Sequence, residues 1–132
     1  MSYFSNPIAI NIDGTTAATP VKFSSIGTVG EIAVKASAGR LIDVFAVNMG
    51  AEDCYLQFHD AAAIPAEGST PNAVRPMAGK PADAISGGIL KEENPVFEFT
   101  TGCQIVWSST AATYTAIAPG DIATKIINGS YV

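Results

Sequence analysis

Residues 40–60 constrain what this chain can fold into more than any other stretch. Two apolar runs, 41–47 and 54–58, flank a polar break at 48–53. The first run is rich in branched and aromatic residues, which suit a pleated surface. The second alternates, with Cys54, Leu56 and Phe58 on one side and Tyr55, Gln57 and His59 on the other. Neither run follows a helical period. The pattern predicts two strands joined by a tight connection at Gly50, forming an antiparallel hairpin at the centre of a sheet. In the first strand, strict alternation puts Leu41, Phe45 and Val47 on one face and Ile42, Val44 and Ala46 on the other. A strand apolar on both faces calls for cover on both. In a sandwich, the outer cover must come from an arm or from another subunit. Asp43 falls on the Leu41 face and needs a partner or solvent, because a lone buried carboxylate is costly.

Around this centre the chain continues as short strands with turn signals between them. Val21–Ile26 is a first candidate, and 31–36 a second, with Ile32, Val34 and Ala36 inward. Residues 61–84 hold Pro65, Pro71, Pro76 and Pro81 and predict a long connection with one short strand at Ala73–Met77. Ile89-Leu90 is a short apolar piece, and Glu92-Glu93-Asn94-Pro95 reads as a charged turn. Residues 96–100 and 103–108 alternate, with Cys103, Ile105 and Trp107 on one face. Residues 113–118 are strand-like, and 122–127 form a last apolar run. About eight strands without a useful helical period predict an all-β protein, an antiparallel β-sandwich of jelly-roll type. Residues 1–20 predict an extended N-terminal arm and residues 21–132 one sandwich domain. In the arm, Ile8, Ile10 and Ile12 alternate with Ala9 and Asn11 before the turn signal Asp13-Gly14. Two fates suit it: an edge strand of its own sheet, or strand addition to a neighbouring subunit.

At 132 residues the chain is long enough for a real core. Only 14% of residues are charged, against about 25% in an ordinary soluble domain. That sparing use of charge, in a Gly-, Pro- and Ala-rich chain, predicts a surface partly covered by assembly. The net charge is −5, and the basic residues Lys22, Lys35, Arg40, Arg75, Lys80, Lys91 and Lys125 are scattered. Direct nucleic-acid binding is not expected, since it rests on concentrated positive charge. No apolar run approaches the roughly 18 residues of a membrane span. The first residues lack the basic start and apolar core of a signal peptide, so synthesis and initial residence in a cytoplasm are expected. Cys54 and Cys103 then read as reduced core residues.

Catalytic constellations are weak. His59 is the single histidine and precedes Asp60. Neighbours on a strand point to opposite faces, so Asp60 is poorly placed to orient His59, and no Gly-x-Ser-x-Gly motif supplies a nucleophile. A surface or subunit-contact histidine at a strand end is expected instead. Glu92 and Glu93 read as a solvated turn rather than a glycosidase pair. Metal-ligand spacing and phosphate-cradling loops are absent, although calcium held by Asp and backbone carbonyls stays open. Trp107 follows both cysteines, so the antibody-domain signature is not met, and Trp107 is assigned to the core or its rim. No enzyme activity and no cofactor are expected.

Residues 35–44, Val47-Asn48 and 54–61, the last reading Cys-Tyr-Leu-Gln-Phe-His-Asp-Ala, resemble small virion proteins of tailed bacteriophages. In these a Gly-Arg-Leu strand runs to an Asn, and a Tyr-Leu-Gln strand leads into a Pro-rich loop, matched here by Ser69-Thr70-Pro71. Residues 97–108 and 112–115 look like that family's last strands. The resemblance covers about residues 32–116; the first 30 residues match no such pattern. It implies a capsid decoration (cement) protein on the outside of the head, acting as a homotrimer on the major capsid protein, with the virion as its location. The contact elements would be the arm, through Tyr3, Phe4, Ile8, Ile10 and Ile12, and the 61–84 loop, through Pro65, Pro71, Arg75, Pro76 and Met77. Related modules occur in tail and fibre proteins. The alternative is therefore a host-glycan binding module with Tyr55, Trp107 and Tyr114 as exposed aromatics.

Overall fold

Alternation of apolar and polar residues becomes two facing sheets. The structure, a computed structural model, describes residues 19–27 and 30–132. Its elements are β1 (Val21–Ile26), β2 (Glu31–Lys35), β3 (Gly39–Asn48), β4 (Cys54–Asp60), β5 (Ala73–Met77), β6 (Ile89–Phe99), β7 (Cys103–Ser108), the short α1 (Pro119–Ile122) and β8 (Lys125–Tyr131). Two four-stranded antiparallel sheets result, in the orders β1-β8-β3-β6 and β2-β7-β4-β5. Among the described residues, β4 and β5 are the one pair of consecutive strands that are neighbours in a sheet; the other connections between β1 and β8 cross the sandwich. This is the winding of a jelly roll, which bears out the expected fold class.

The inner faces meet in one core. Leu41, Val44, Ala46 and Ile127 from the first sheet pack against Ile32, Val34, Leu56, Phe58, Ile105 and Trp107 from the second. Phe58 stacks on Phe97, whose ring also stacks on Phe99, so aromatics tie β4 to β6 across the interior.

Several sequence expectations are corrected. β3 and β4 are not a hairpin: β3 pairs with β6 and β8, and β4 with β5 and β7. The break between them is longer than a two-residue hairpin turn, and it spans the roughly 10 Å between packed sheets. A bulge between Leu41 and Asp43 resets the faces of β3. Leu41 therefore joins Val44 and Ala46 inside, and Asp43, Phe45 and Val47 lie on the outer face. Residues 92–95 are not a turn but part of β6, an edge strand, where a proline is tolerated, and Pro95 falls at the register shift with no paired residue on β3. Residues 113–118 form no strand; a single bridge joins Ala116 to Ser108. The last apolar run divides between α1 and β8.

Candidate functional site

The side chains with most chemical potential are committed to holding the fold. His59 is not at the surface as expected; it is 3% exposed. It sits on the outer face of the second sheet, and residues 110–114 fold over that face. There Gln57 donates its amide to the carbonyls of Thr110 (2.8 Å) and Thr113 (3.1 Å). The Gln57 carbonyl accepts from His59 Nε2 at 3.0 Å, and the Tyr114 ring meets the imidazole edge-on. Burial lowers the pKa of His59 by disfavouring its charged form. The covering loop was not legible in the alternation of β4, which places Gln57 and His59 outward.

Asp60 faces away from this site. Its carboxylate accepts from the backbone N–H of Thr100 (3.0 Å), Thr101 (2.8 Å) and Gly102 (3.1 Å), and from the Thr100 hydroxyl (3.0 Å). These bonds hold its pKa at about 2 and clamp the corner between β6 and β7. His59 and Asp60 thus share no hydrogen bond and serve two separate loops. Glu92 instead pairs with Arg75, whose Nε lies 2.8 and 3.0 Å from its two oxygens. The Arg75 guanidinium also covers the Phe58 ring at 5.4 Å. This pair joins β5 to β6 and closes one side of the sandwich.

At one end of the sandwich Asn48 is fully buried. Its amide nitrogen lies within 2.9–3.1 Å of the carbonyls of Glu52, Met77 and Ala78. Its oxygen accepts from the Gly50 N–H and from the buried Lys125 ammonium, each at 2.9 Å. Cys54 and Cys103 are free and buried, as the sequence predicts.

Trp107 and Tyr114 line one cleft of about 390 Å³ with Glu31, Ile117, Pro119 and Ile122. The Tyr114 hydroxyl donates to the Glu31 carboxylate, and burial together with that bond raises the tyrosine pKa. Yet Trp107 is 1% and Tyr114 2% exposed, so neither presents a ring face to solvent, and Tyr55 is half-buried. Trp107 belongs to the core, as expected.

The outer face of the first sheet is different. The register aligns Ile26, Ile126, Val47 and Ile89 in one row across β1, β8, β3 and β6. Ile26 is 71% and Ile89 60% exposed at the ends of the row, whereas Val47 between them is 8% exposed and Ile126 half-buried, and Phe45 on the same face is partly exposed. The next rows are mostly polar: Ser24, Asn128 and Lys91 with Phe45 among them, then Lys22, Ser130, Asp43 and Glu93. A depression of about 470 Å³ among Lys22, Asp43 and Asn128 marks that polar part. The two-sided apolar character of β3 pointed to this face, whereas its neighbours Ile26 and Ile89 carry no signal without the register.

Of the contact residues expected from sequence, Tyr3, Phe4, Ile8, Ile10 and Ile12 lie outside the described residues. Pro76 is exposed, and Pro65, Pro71 and Arg75 are half-buried, Arg75 being engaged with Glu92. Met77 is 2% exposed and packs in the core, so it offers no surface to a partner. No protein-family model, curated protein or solved structure matches the chain.

Proposed function

We propose that this protein is a bacteriophage capsid decoration protein, which binds the outside of the assembled head as a homotrimer and reinforces contacts between major capsid subunits. The observation that carries this proposal is the apolar row Ile26–Ile126–Val47–Ile89, exposed at its ends Ile26 and Ile89, on a sparsely charged body. Contiguous apolar surface of this kind marks a macromolecular contact. Support also comes from the sequence resemblance to small virion proteins and, by fold-level analogy, from the use of jelly rolls in viral shells. The residues best suited to chemistry, His59, Asp60 and Glu92, are each engaged in a structural hydrogen-bond set, which favours a binding role over catalysis.

The mechanism is mass action. A ligand that binds only the assembled shell stabilises it in proportion to its occupancy. Linked copies gain avidity from simultaneous contacts. The glycan-binding alternative needs exposed aromatic platforms, and the burial of Trp107 and Tyr114 weighs against it. The test compares heads with and without the protein. Heads lacking it are expected to lose thermal and osmotic resistance and to regain both on adding purified protein; equal resistance overturns the proposal.

A further inference from the structure

The two polar rows of the first sheet hold side chains that the fold does not use. Their outward direction follows from the pleat of β8. Ile127 and Tyr131 pack on the core, so Asn128 and Ser130 turn away from it. Two depressions lie along these rows. The larger, about 470 Å³, is lined by Lys22, Ser24 and Ser130 together with Asp43 and Asn128. The smaller, about 190 Å³, lies among Phe45, Lys91 and Glu93, again with Asp43 and Asn128. The two shared residues make the depressions one groove running across the strands. Three inter-strand steps give it a length of about 14 Å, and two rows a breadth of about 7 Å.

Ser130 is the recessed member of the lining. It is 6% exposed, whereas Lys22, Ser24 and Asn128 beside it are exposed. Its hydroxyl nevertheless makes no hydrogen bond among the described residues. A polar group so deeply placed is ordinarily paired. Among the described residues, the side chains of Lys22, Asp43, Lys91, Glu93 and Asn128 make no hydrogen bond or ion pair either. The groove therefore presents a recessed hydroxyl and a ring of uncommitted donors and acceptors.

Charge and shape select the occupant. Lys22 and Lys91 are balanced by Asp43 and Glu93, so the groove favours neither an anion nor a cation. The ammonium groups donate, the carboxylates accept, and Asn128 and Ser130 do both. Phe45, 36% exposed, adds one apolar ring face beside them. A neutral ligand dense in hydroxyls, with an apolar face on each ring, meets all three conditions. An extended peptide would instead pair its main chain with a sheet edge, and this groove lies on the face of the sheet.

We infer that this groove binds a short neutral oligosaccharide. Ser130, Asn128 and Asp43 engage its hydroxyls at the centre, Lys22 engages them at the β1 end, and Phe45 packs against a sugar ring towards β6. Side chains carried on paired strands hold such an arrangement better than loops do. The groove lies on the other sheet from Trp107, whose burial removes it as a platform. The inference goes beyond the decoration reading and does not rest on it.

The test probes a printed array of neutral, sialylated and sulfated oligosaccharides with the labelled full chain. Saturable binding to neutral members is expected. The neutral sugar bound most strongly is then titrated into variants by calorimetry. Asn128→Ala, Ser130→Ala and Phe45→Ser are each expected to weaken binding about tenfold, with circular dichroism unchanged. Glu31→Gln, in the cleft beside Trp107, is expected to leave binding unchanged. Absence of binding to any neutral member overturns the inference, as does a preference for sulfated members. Binding that survives all three groove variants also overturns it. Loss of head binding by those variants, with no sugar bound, overturns it as well and assigns the groove to the shell contact. Failure on the array alone leaves the decoration reading standing.

Discussion

Replacing Asn48 with alanine should unravel the end of the sandwich where β3, β4, β5 and β8 meet. The side chain joins five partners: three carbonyls, the Gly50 N–H and the Lys125 ammonium. The alanine variant leaves the Gly50 N–H and the Lys125 ammonium short of an acceptor, with Thr124 the remaining side-chain partner of Lys125. Among the described residues no carboxylate lies within ion-pair distance of Lys125. An unsatisfied buried donor costs roughly 1–3 kcal/mol, and a stranded buried charge roughly 3–5 kcal/mol. Allowing for partial rescue by water, Asn48→Ala should cost about 4 kcal/mol. For a chain of this size that lowers Tm by about 15 °C. Urea denaturation read by the fluorescence of Trp107 measures the change directly. Lys125→Met removes the stranded charge, so the double variant should be less damaged than the sum of the singles, by more than about 1 kcal/mol. A loss below about 1 kcal/mol for Asn48→Ala, or strict additivity with Lys125→Met, would refute the assignment of Asn48 as the hub.

Three further outcomes follow from groups whose titration the fold shifts. Burial lowers the His59 pKa from 6.5, so the unfolded chain binds the proton first; stability should fall as pH drops through about 6.5, and His59→Gln should flatten urea midpoints measured between about pH 7.5 and 5.5. Asp60 is shifted the other way, from 3.8 to about 2; its contribution is present above about pH 4 and lost as pH falls towards 2, so Asp60→Asn should lower stability at neutral pH and shrink that acid loss. Burial pushes the Cys54 thiol up to about 11 and Cys103 up to about 12, so iodoacetamide should modify neither in the native protein at about pH 8 and both in urea; rapid native labelling would contradict the packing.

Strands with a single inward face were legible in the sequence. β1 and β5 coincide with their expected limits, and β4 and β7 show their inner residues by alternation alone. Pairing was not legible, because nothing in the 49–53 connection says whether the next strand stays in the sheet or crosses the core. The bulge at Leu41/Asp43 was hidden for a related reason: one extra residue swaps faces without changing composition. Pro95 misled because proline breaks central strands yet is tolerated at an edge, and edge status depends on partners far along the chain. For the candidate site, the outer apolar character of β3 was visible. The alignment of Ile26, Ile126 and Ile89 beside Val47 required the register.

Sedimentation equilibrium of the full chain at micromolar concentration and neutral pH tests the central claim most directly. The account predicts the mass of a trimer, the proposed assembly in which neighbouring copies cover Ile26 and Ile89. A single species at 13.6 kDa that stays monomeric as the concentration rises would contradict it.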